Sequence, residues 1–274
     1  KLTRDKRELG LSDDDMKRFD QMLAHPHGII LVTGPTGSGK STTLYTALSE
    51  LNRETVNIVT VEDPVEANID GVNQIQVNPK ADMTFASALR SILRQDPDII
   101  MIGEIRDPET AEIAVQASIT GHLVASTLHT NSTSASIARL LNMGIEPYLM
   151  ADALVGVVAQ RLVRKLCRCK RGREATAQEK EELGVNQDEV LTIYEPAGCQ
   201  LCSQTGYFGR TAVYEMMPVT PELRWAITKM QPSSKVKEIA QREGMITLRG
   251  SAVRLVREGV TSLEEMKKIA SEED

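Results

Sequence analysis

The sequence predicts an α/β fold in which a parallel sheet is covered by helices on both faces. Three observations carry that expectation. Apolar runs rich in β-branched residues recur at 28–33, 56–61, 99–102 and 123–128. Between them lie segments whose apolar residues repeat at helical spacing. A glycine-rich turn joins the first run to the first of these segments. Continuous rather than alternating apolar runs belong to strands buried on both sides, and alternation of strands with helices calls for parallel crossovers.

Each element follows in order. Ser12 ahead of Asp13, Asp14 and Asp15 starts a short helix through Leu23, which His25, Pro26 and His27 break. Residues 28–33 form the first strand, and a helix over 40–51 places Leu44, Ala47, Leu48 and Leu51 on one side. The run at 56–61 is a second strand. Residues 85–93 read as a helix with Leu89, Ile92 and Leu93 inward, ahead of the strand at 99–102. Pro108 suits the first turn of a helix over 108–120, and a strand over 123–128 follows. The longest apolar stretch, 148–163, is interrupted by Asp152, Gln160 and Arg161 and is expected to be a packed helix, short of the roughly 18 residues of a membrane span. From Arg161 to Arg173 seven of thirteen residues are Arg or Lys, interleaved with Cys167 and Cys169. From about Val213 helical spacing returns, with punctuation at Thr220, Pro221, Pro232 and Ser233. The expected domains are a linker with a helix at 1–27, a core at 28–162, a cysteine-bearing subdomain at 163–212 and a helical subdomain at 213–274.

Composition sets bounds. A chain of 274 residues with a hydrophobic fraction of 41% can hold one large α/β domain with small additions. Aromatics make up only 3%, so the core must rest on Ile, Val, Leu, Ala and Met. A net charge of −6 argues against a protein whose main task is gripping nucleic-acid phosphates. The chain opens at Lys1 without an initiator Met, and upstream domains are expected to precede it. No signal-peptide pattern is present, so the four cysteines favour a metal site over disulfides.

Gly34, Pro35, Thr36, Gly37, Ser38, Gly39, Lys40 and Ser41 match the G-x-x-x-x-G-K-[ST] pattern in full, with Thr42 next. Small residues let successive N–H groups curl around a β-phosphate, and Lys40 neutralises charge near the β- and γ-phosphates. The Ser41 hydroxyl ligates Mg²⁺, and the following helix points its positive end at the anion. The flanking strand and helix supply the context that the motif requires.

Ligands in open α/β sheets bind beyond the carboxyl ends of the strands. The 56–61 run leads into Glu62, Asp63 and Glu66; the 99–102 run leads into Gly103, Glu104, Arg106 and Asp107; the 123–128 run ends at His129. In a Walker B strand Gly103 stands where aspartate is usual, and Glu104 is the acid that could position and deprotonate water. Glu62 and Glu66 could lie in the metal's surroundings, which leaves Glu62, Glu66 and Glu104 all open as the base. Arg90, Arg94 and Arg106 are candidates for stabilising phosphoryl charge, in cis or across a subunit boundary, although solvated helix arginines would explain the first two. His129 gains weight from its place beside the phosphate loop, where a neutral imidazole could sense a γ-phosphate. His122, ahead of its strand, is as well explained structurally.

Cys167 and Cys169, then twenty-nine residues, then Cys199 and Cys202, suggest a tetrahedral zinc site clipping a long loop. The second pair has good ligand spacing; the first is a tighter C-x-C that puts the geometry in question. Reduced thiols in a metal-free loop, or a disulfide, are the competing explanations.

Together and in this order these features resemble the secretion and pilus ATPase superfamily, most closely type II secretion ATPases of the GspE type. The resemblance spans nearly the whole chain: a Walker A box at 34–42, an aspartate box at 60–66, a Walker B match at 89–107 and a histidine box at 120–131. It implies a RecA-like P-loop core, a Cys₄ zinc insertion, a helical C-terminal part and a homo-hexameric ring that works on an inner-membrane platform. Cofactors would be ATP, Mg²⁺ and Zn²⁺, with a cytoplasmic location and only indirect membrane association. It assigns Glu104 as general base, Glu62 as a second acid near Mg²⁺, His129 as the histidine-box residue, and Arg90, Arg94 and Arg106 as phosphate-facing arginines. Arg210 matches a further motif that reaches nucleotide in a ring. The closest alternative is a type IV pilus extension motor; residues 116–122, 144–147 and 160–163 look more like the secretion branch. A nucleic-acid reader built on the cysteines, and a scaffold that binds ATP without turnover, are the alternatives from other classes.

Overall fold

The structure, a computed structural model, describes residues 5–272. They form two compact units. The first takes the described residues up to Gln160 together with 215–245; the second takes 161–214 and the described residues from Ile246 onward. The helices after Pro218, expected as one subdomain, are therefore divided between the units.

In the first unit, a 3₁₀ turn at Lys6–Leu9 precedes α1 (Asp13–Leu23), whose N-cap Ser12 accepts the Asp15 N–H. β1 (Gly28–Thr33) leads through the glycine-rich turn into α2 (Lys40–Leu51), then β2 (Ile58–Glu62) and β3 (Asn73–Gln76). α3 (Phe85–Leu93) is opened by a capping box of Thr84 and Ser87. β4 (Ile99–Ile102), α4 (Pro108–Ile119), β5 (Leu123–Leu128), α5 (Thr133–Asn142) and α6 (Pro147–Ala153) follow. β6 (Leu154–Leu166) begins in this unit and runs on into the second.

The second unit adds β7 (Arg171–Glu174), α7 (Ala177–Leu183) and β8 (Thr192–Glu195), with β7 and β8 paired antiparallel. β9 (Tyr207–Pro218) returns to the first unit, which also holds α8 (Pro221–Thr228) and α9 (Ser233–Arg242). α10 (Leu248–Arg257) and α11 (Leu263–Glu272) close the described chain in the second unit.

The main sheet has the order β3-β2-β4-β5-β1-β6-β9, and its first six strands are mutually parallel. Register aligns the strand ends. Thr33 pairs with Leu128, Ile102 with Ser126 and Val61 with Ile102. The loops after β1, β2, β4 and β5 therefore leave the sheet along one edge. β1, β2, β4 and β5 are buried at every position, as continuous apolar runs demand, and α3 and α4 add Leu89, Ile92, Ala111 and Ala114 to the core.

Three expectations change. The 148–163 stretch is not one helix: α6 ends at Ala153 and β6 begins at Leu154. Val155, Val157 and Val158 flank Gly156, and β-branched residues with glycine favour an extended chain; all are buried, as in a strand covered on both faces. Residues 213–218, expected to open the helical part, belong to β9. β3 had no sequence signal, because it is a short polar strand at the sheet edge with no fully buried residue. Among the described residues no helix is long and apolar enough to cross a membrane.

Candidate active site and metal centre

The phosphate loop is built by close approach. Gly34 is buried, and a Cβ there would lie 2.5 Å from both the Gln160 carbonyl and the Ser38 hydroxyl. Pro35, Thr36 and Gly37 are exposed, while Ser38 and Lys40 are buried beneath them. The Ser38 Oγ is buried without a hydrogen-bond partner among the described residues. An orphaned hydroxyl inside a glycine cradle, at the N-terminus of a twelve-residue helix, suits a bound phosphate oxygen. Thr43 on that helix donates to Gln160 Oε1 at 2.6 Å, which ties α2 to β6.

Lys40 Nζ donates to the Gly34 carbonyl at 2.6 Å and to His129 Nδ1 at 3.0 Å. On the other side of the ring, His129 Nε2 meets Glu104 Oε2 at 2.7 Å. An ammonium can only donate and a carboxylate only accept, so the ring is the neutral tautomer with its proton on Nε2. Arg106 Nε donates to the other Glu104 oxygen, and Arg106 Nη2 reaches Asp63 Oδ2 at 3.1 Å. The guanidinium also lies over the Phe85 ring, 5.1 Å from its centre. The strand ends thus carry one continuous chain of polar groups, Lys40–His129–Glu104–Arg106–Asp63. Burial pushes the Glu104 carboxyl up, but the hydrogen bonds from His129 and Arg106 outweigh it and hold it below the usual carboxylate range.

Gly103 allows the β4 end to pass close to β2. A Cβ there would sit 3.3 Å from both Glu62 Cα and the Val61 carbonyl, a tight approach that glycine leaves free of contact. Glu62 itself is 3% exposed. Tyr45 donates to its Oε1, while Thr60 at 2.7 Å and Gln74 at 3.2 Å donate to its Oε2. Burial, and then the Glu62 carboxylate, push the Tyr45 phenol up to about 12. The expectation set both Glu62 and Glu66 in the metal's surroundings; of the two, Glu66 takes the Ser41 hydroxyl, at 2.9 Å.

In the second unit all four cysteine sulfurs lie within 4.8 Å of one another. Cys167 and Cys199 are 3.7 Å apart, Cys199 and Cys202 3.7 Å, and Cys169 and Cys202 3.8 Å. Four sulfurs at the zinc–thiolate distance of about 2.3 Å form a tetrahedron with edges of about 3.8 Å, so the donor set fits the ion. The tight C-x-C pair is no obstacle. The chain turns over it, Lys170 N–H reaching the Cys167 carbonyl at 3.0 Å, and both sulfurs face the second pair. Backbone N–H groups of Cys199 and Gly206 point at Cys202 Sγ, each at 3.2 Å.

The family model described as "Type II/IV secretion system protein" matches residues 1–268. The chain belongs to this family of type II/IV secretion system proteins. The type II secretion system protein E of Pseudomonas aeruginosa is 52% identical over 266 residues, covering 97% of this chain and 53% of that protein. The type II secretion system ATPase E of Vibrio cholerae is 50% identical over 269 residues, covering 98% and 53%. The chain spans about half the length of the curated relatives it matches. The crystal structure of the pilus retraction motor PilT with bound ADP aligns with a TM-score of 0.74 and 29% identity, over 97% of this chain and 67% of that one. The α/β fold with its mostly parallel sheet is common to both.

Within this type II/IV secretion system protein, Lys40, His129, Glu104 and Arg106 are joined in one path, and Ser41 meets Glu66. Arg90 is instead paired with Glu109 on α4 at 2.7 Å, both exposed, and Arg94 is exposed at the C-cap of α3. Arg210 is exposed on β9, in the second unit. His122 meets the Pro97 carbonyl at 2.6 Å through Nδ1, a structural tie. Sequence reasoning missed Tyr45, Gln74 and Gln160, because a tyrosine among apolar helix positions reads as core and its hydroxyl partner lies on another element.

Proposed function

We propose that the chain is the ATP-hydrolysing part of a homo-hexameric motor that powers type II protein secretion, working from the cytoplasm on an inner-membrane platform. The observation that carries this reading is the Lys40–His129–Glu104 chain beside a loop with an orphaned hydroxyl. It sets a cation for phosphate, an imidazole bridge and an ionised carboxylate side by side. Residues 34–42 bind the triphosphate, Lys40 carries the charge for its β- and γ-oxygens, and Glu104 orients the attacking water and takes its proton. His129 couples Lys40 to Glu104, so engagement of the lysine by phosphate is felt at the base. The Ser41 hydroxyl and Glu66 would hold Mg²⁺, which supplies electrostatic stabilisation of the leaving phosphate when bound. Exposed Arg90, Arg94 and Arg210 suit contact with nucleotide held by a neighbouring subunit.

The four thiolates would hold a zinc ion as a structural clip in a small subdomain. The core is RecA-like in this reading, with helices from Pro221 onward as its C-terminal attachment. Identity of about half to two relatives named for type II secretion favours that branch over a pilus extension motor.

The test pairs two substitutions. Glu104→Gln should keep nucleotide affinity and lower steady-state hydrolysis by about 10²- to 10⁴-fold, the range for loss of a positioned base. Lys40→Ala should lose nucleotide binding itself. Equal hydrolysis by Glu104→Gln and the unmodified hexamer would sink the motor reading.

A further inference from the structure

Glu62, the last residue of β2, and Glu66, in the loop beyond it, have opposite settings. Glu62 is sealed at 3% exposure, and both its oxygens already accept donors, from Tyr45, Thr60 and Gln74. With three donors already on its two oxygens and almost no exposure, this carboxylate leaves no opening for an incoming water or a hydrated cation. Glu66 is exposed and touches the Ser41 hydroxyl at 2.9 Å.

One buried atom links them. The Tyr45 hydroxyl donates to Glu62 and accepts the backbone N–H of Glu66 at 3.2 Å. Tyr45 stands on α2, one turn beyond Ser41, and is 1% exposed. Glu62 in turn is held by Thr60 on its own strand and by Gln74 on the neighbouring β3. The Gln74 amide also donates to the Ala67 carbonyl at 2.8 Å, and its oxygen accepts the Ile69 N–H at 2.8 Å. The whole acidic loop is therefore fastened from below, through a network whose every member is partnered. A glutamate side chain has several free torsions, and fixing its backbone is what restricts where its carboxylate can sit.

We propose that Tyr45 and Glu62 are positioning residues that hold the loop after β2 so that Glu66 stands against the Ser41 hydroxyl, where the reading above sets it toward the hydrated Mg²⁺ of the nucleotide. Glu62 then acts through Tyr45 and not on water. This rests on the nucleotide-binding reading above and adds residues to it.

The experiment titrates Mg²⁺ against binding of a fluorescent ADP analogue to the whole chain, with a matched series in EDTA. Tyr45→Phe should raise the Mg²⁺ concentration for half-maximal binding by about tenfold, the effect of one hydrogen bond to a charged group, and leave affinity in EDTA unchanged. Glu66→Gln should give the same shift, and the double variant no further one. Glu62→Gln preserves volume and should show the same signature, which carries the test if Tyr45→Phe does not fold. An unshifted Mg²⁺ requirement in Glu62→Gln overturns the proposal, as does an equal loss of affinity with and without Mg²⁺, the mark of a merely structural role. Absence of nucleotide binding by the unmodified chain in both series would instead remove the nucleotide reading, and this one with it.

Discussion

His129 stands between a cation and an anion, and its neutral ring satisfies both at once. Nδ1 receives Lys40 and Nε2–H is given to Glu104. In the proposed reaction, the pH dependence of hydrolysis follows from Glu104. Its folded carboxyl lies below the usual value because the hydrogen bonds from His129 and Arg106 overcome burial. The base form is thus present above that lowered pKa and is lost as pH falls through it. Arg106→Ala removes one of those donors while burial remains, so the acidic limb of kcat should move to higher pH. An unmoved limb, in steady-state profiles carried below the usual carboxylate pKa, would separate Glu104 from the base role. The residues of this chain were visible in sequence, since Lys40, Glu104 and His129 belong to local motifs. Their order along the hydrogen-bonded path was not, because each comes from a different strand end.

At the scale of elements, α7 shows how local chemistry sets a boundary. Thr176 accepts the Glu179 N–H and Glu179 returns to the Thr176 N–H, a reciprocal cap, and Gly184 ends the helix in the left-handed region. Arg173 on β7 grips both Glu179 oxygens at 2.6 Å and Glu195 on β8 at 2.6 Å. The Arg173 hydrogen bonds hold the Glu179 carboxyl down at about 2. A depressed carboxylate contributes stability that is full above its unfolded pKa and is lost as pH falls toward about 2. Acid melts should therefore show a loss between pH of about 4 and about 2 that Glu179→Gln flattens. Thr176→Ala should cost about 1 kcal/mol in a denaturant melt at neutral pH. The stretch 154–166 shows the limit of local reading. Its apolar density fits helix and strand alike, and only pairing with its sheet neighbours β1 and β9 makes it a strand.

For the whole molecule, two compact units share one chain that crosses between them in β6, in β9 and again after Met245. The second unit brings together cysteines separated by twenty-nine residues, and their sulfur spacing suits zinc. Elemental analysis of purified protein should give one zinc equivalent per chain, and a value well under one would remove the claim. Chelation, or Cys202→Ser, should destabilise the second unit by several kcal/mol, on the order expected for loss of a structural metal, read as a lower Tm for that unit. Nucleotide binding by the first unit is the control that reports whether the damage spreads.

By itself the sequence determined the α/β class, the phosphate loop, the order of the acidic and histidine-bearing strand ends, and the quartet of candidate metal ligands. All of these are local: periodicity, short motifs and residue type are written in near-neighbour spacing. Only the tertiary structure decided that Glu62 is sealed while Glu66 meets Ser41, that His129 joins Lys40 to Glu104, that the C-x-C pair closes with its distant partner, and that an apolar stretch divides into helix and strand. Each depends on which segments the parallel register sets side by side, and register is fixed by long-range burial that near-neighbour spacing does not encode.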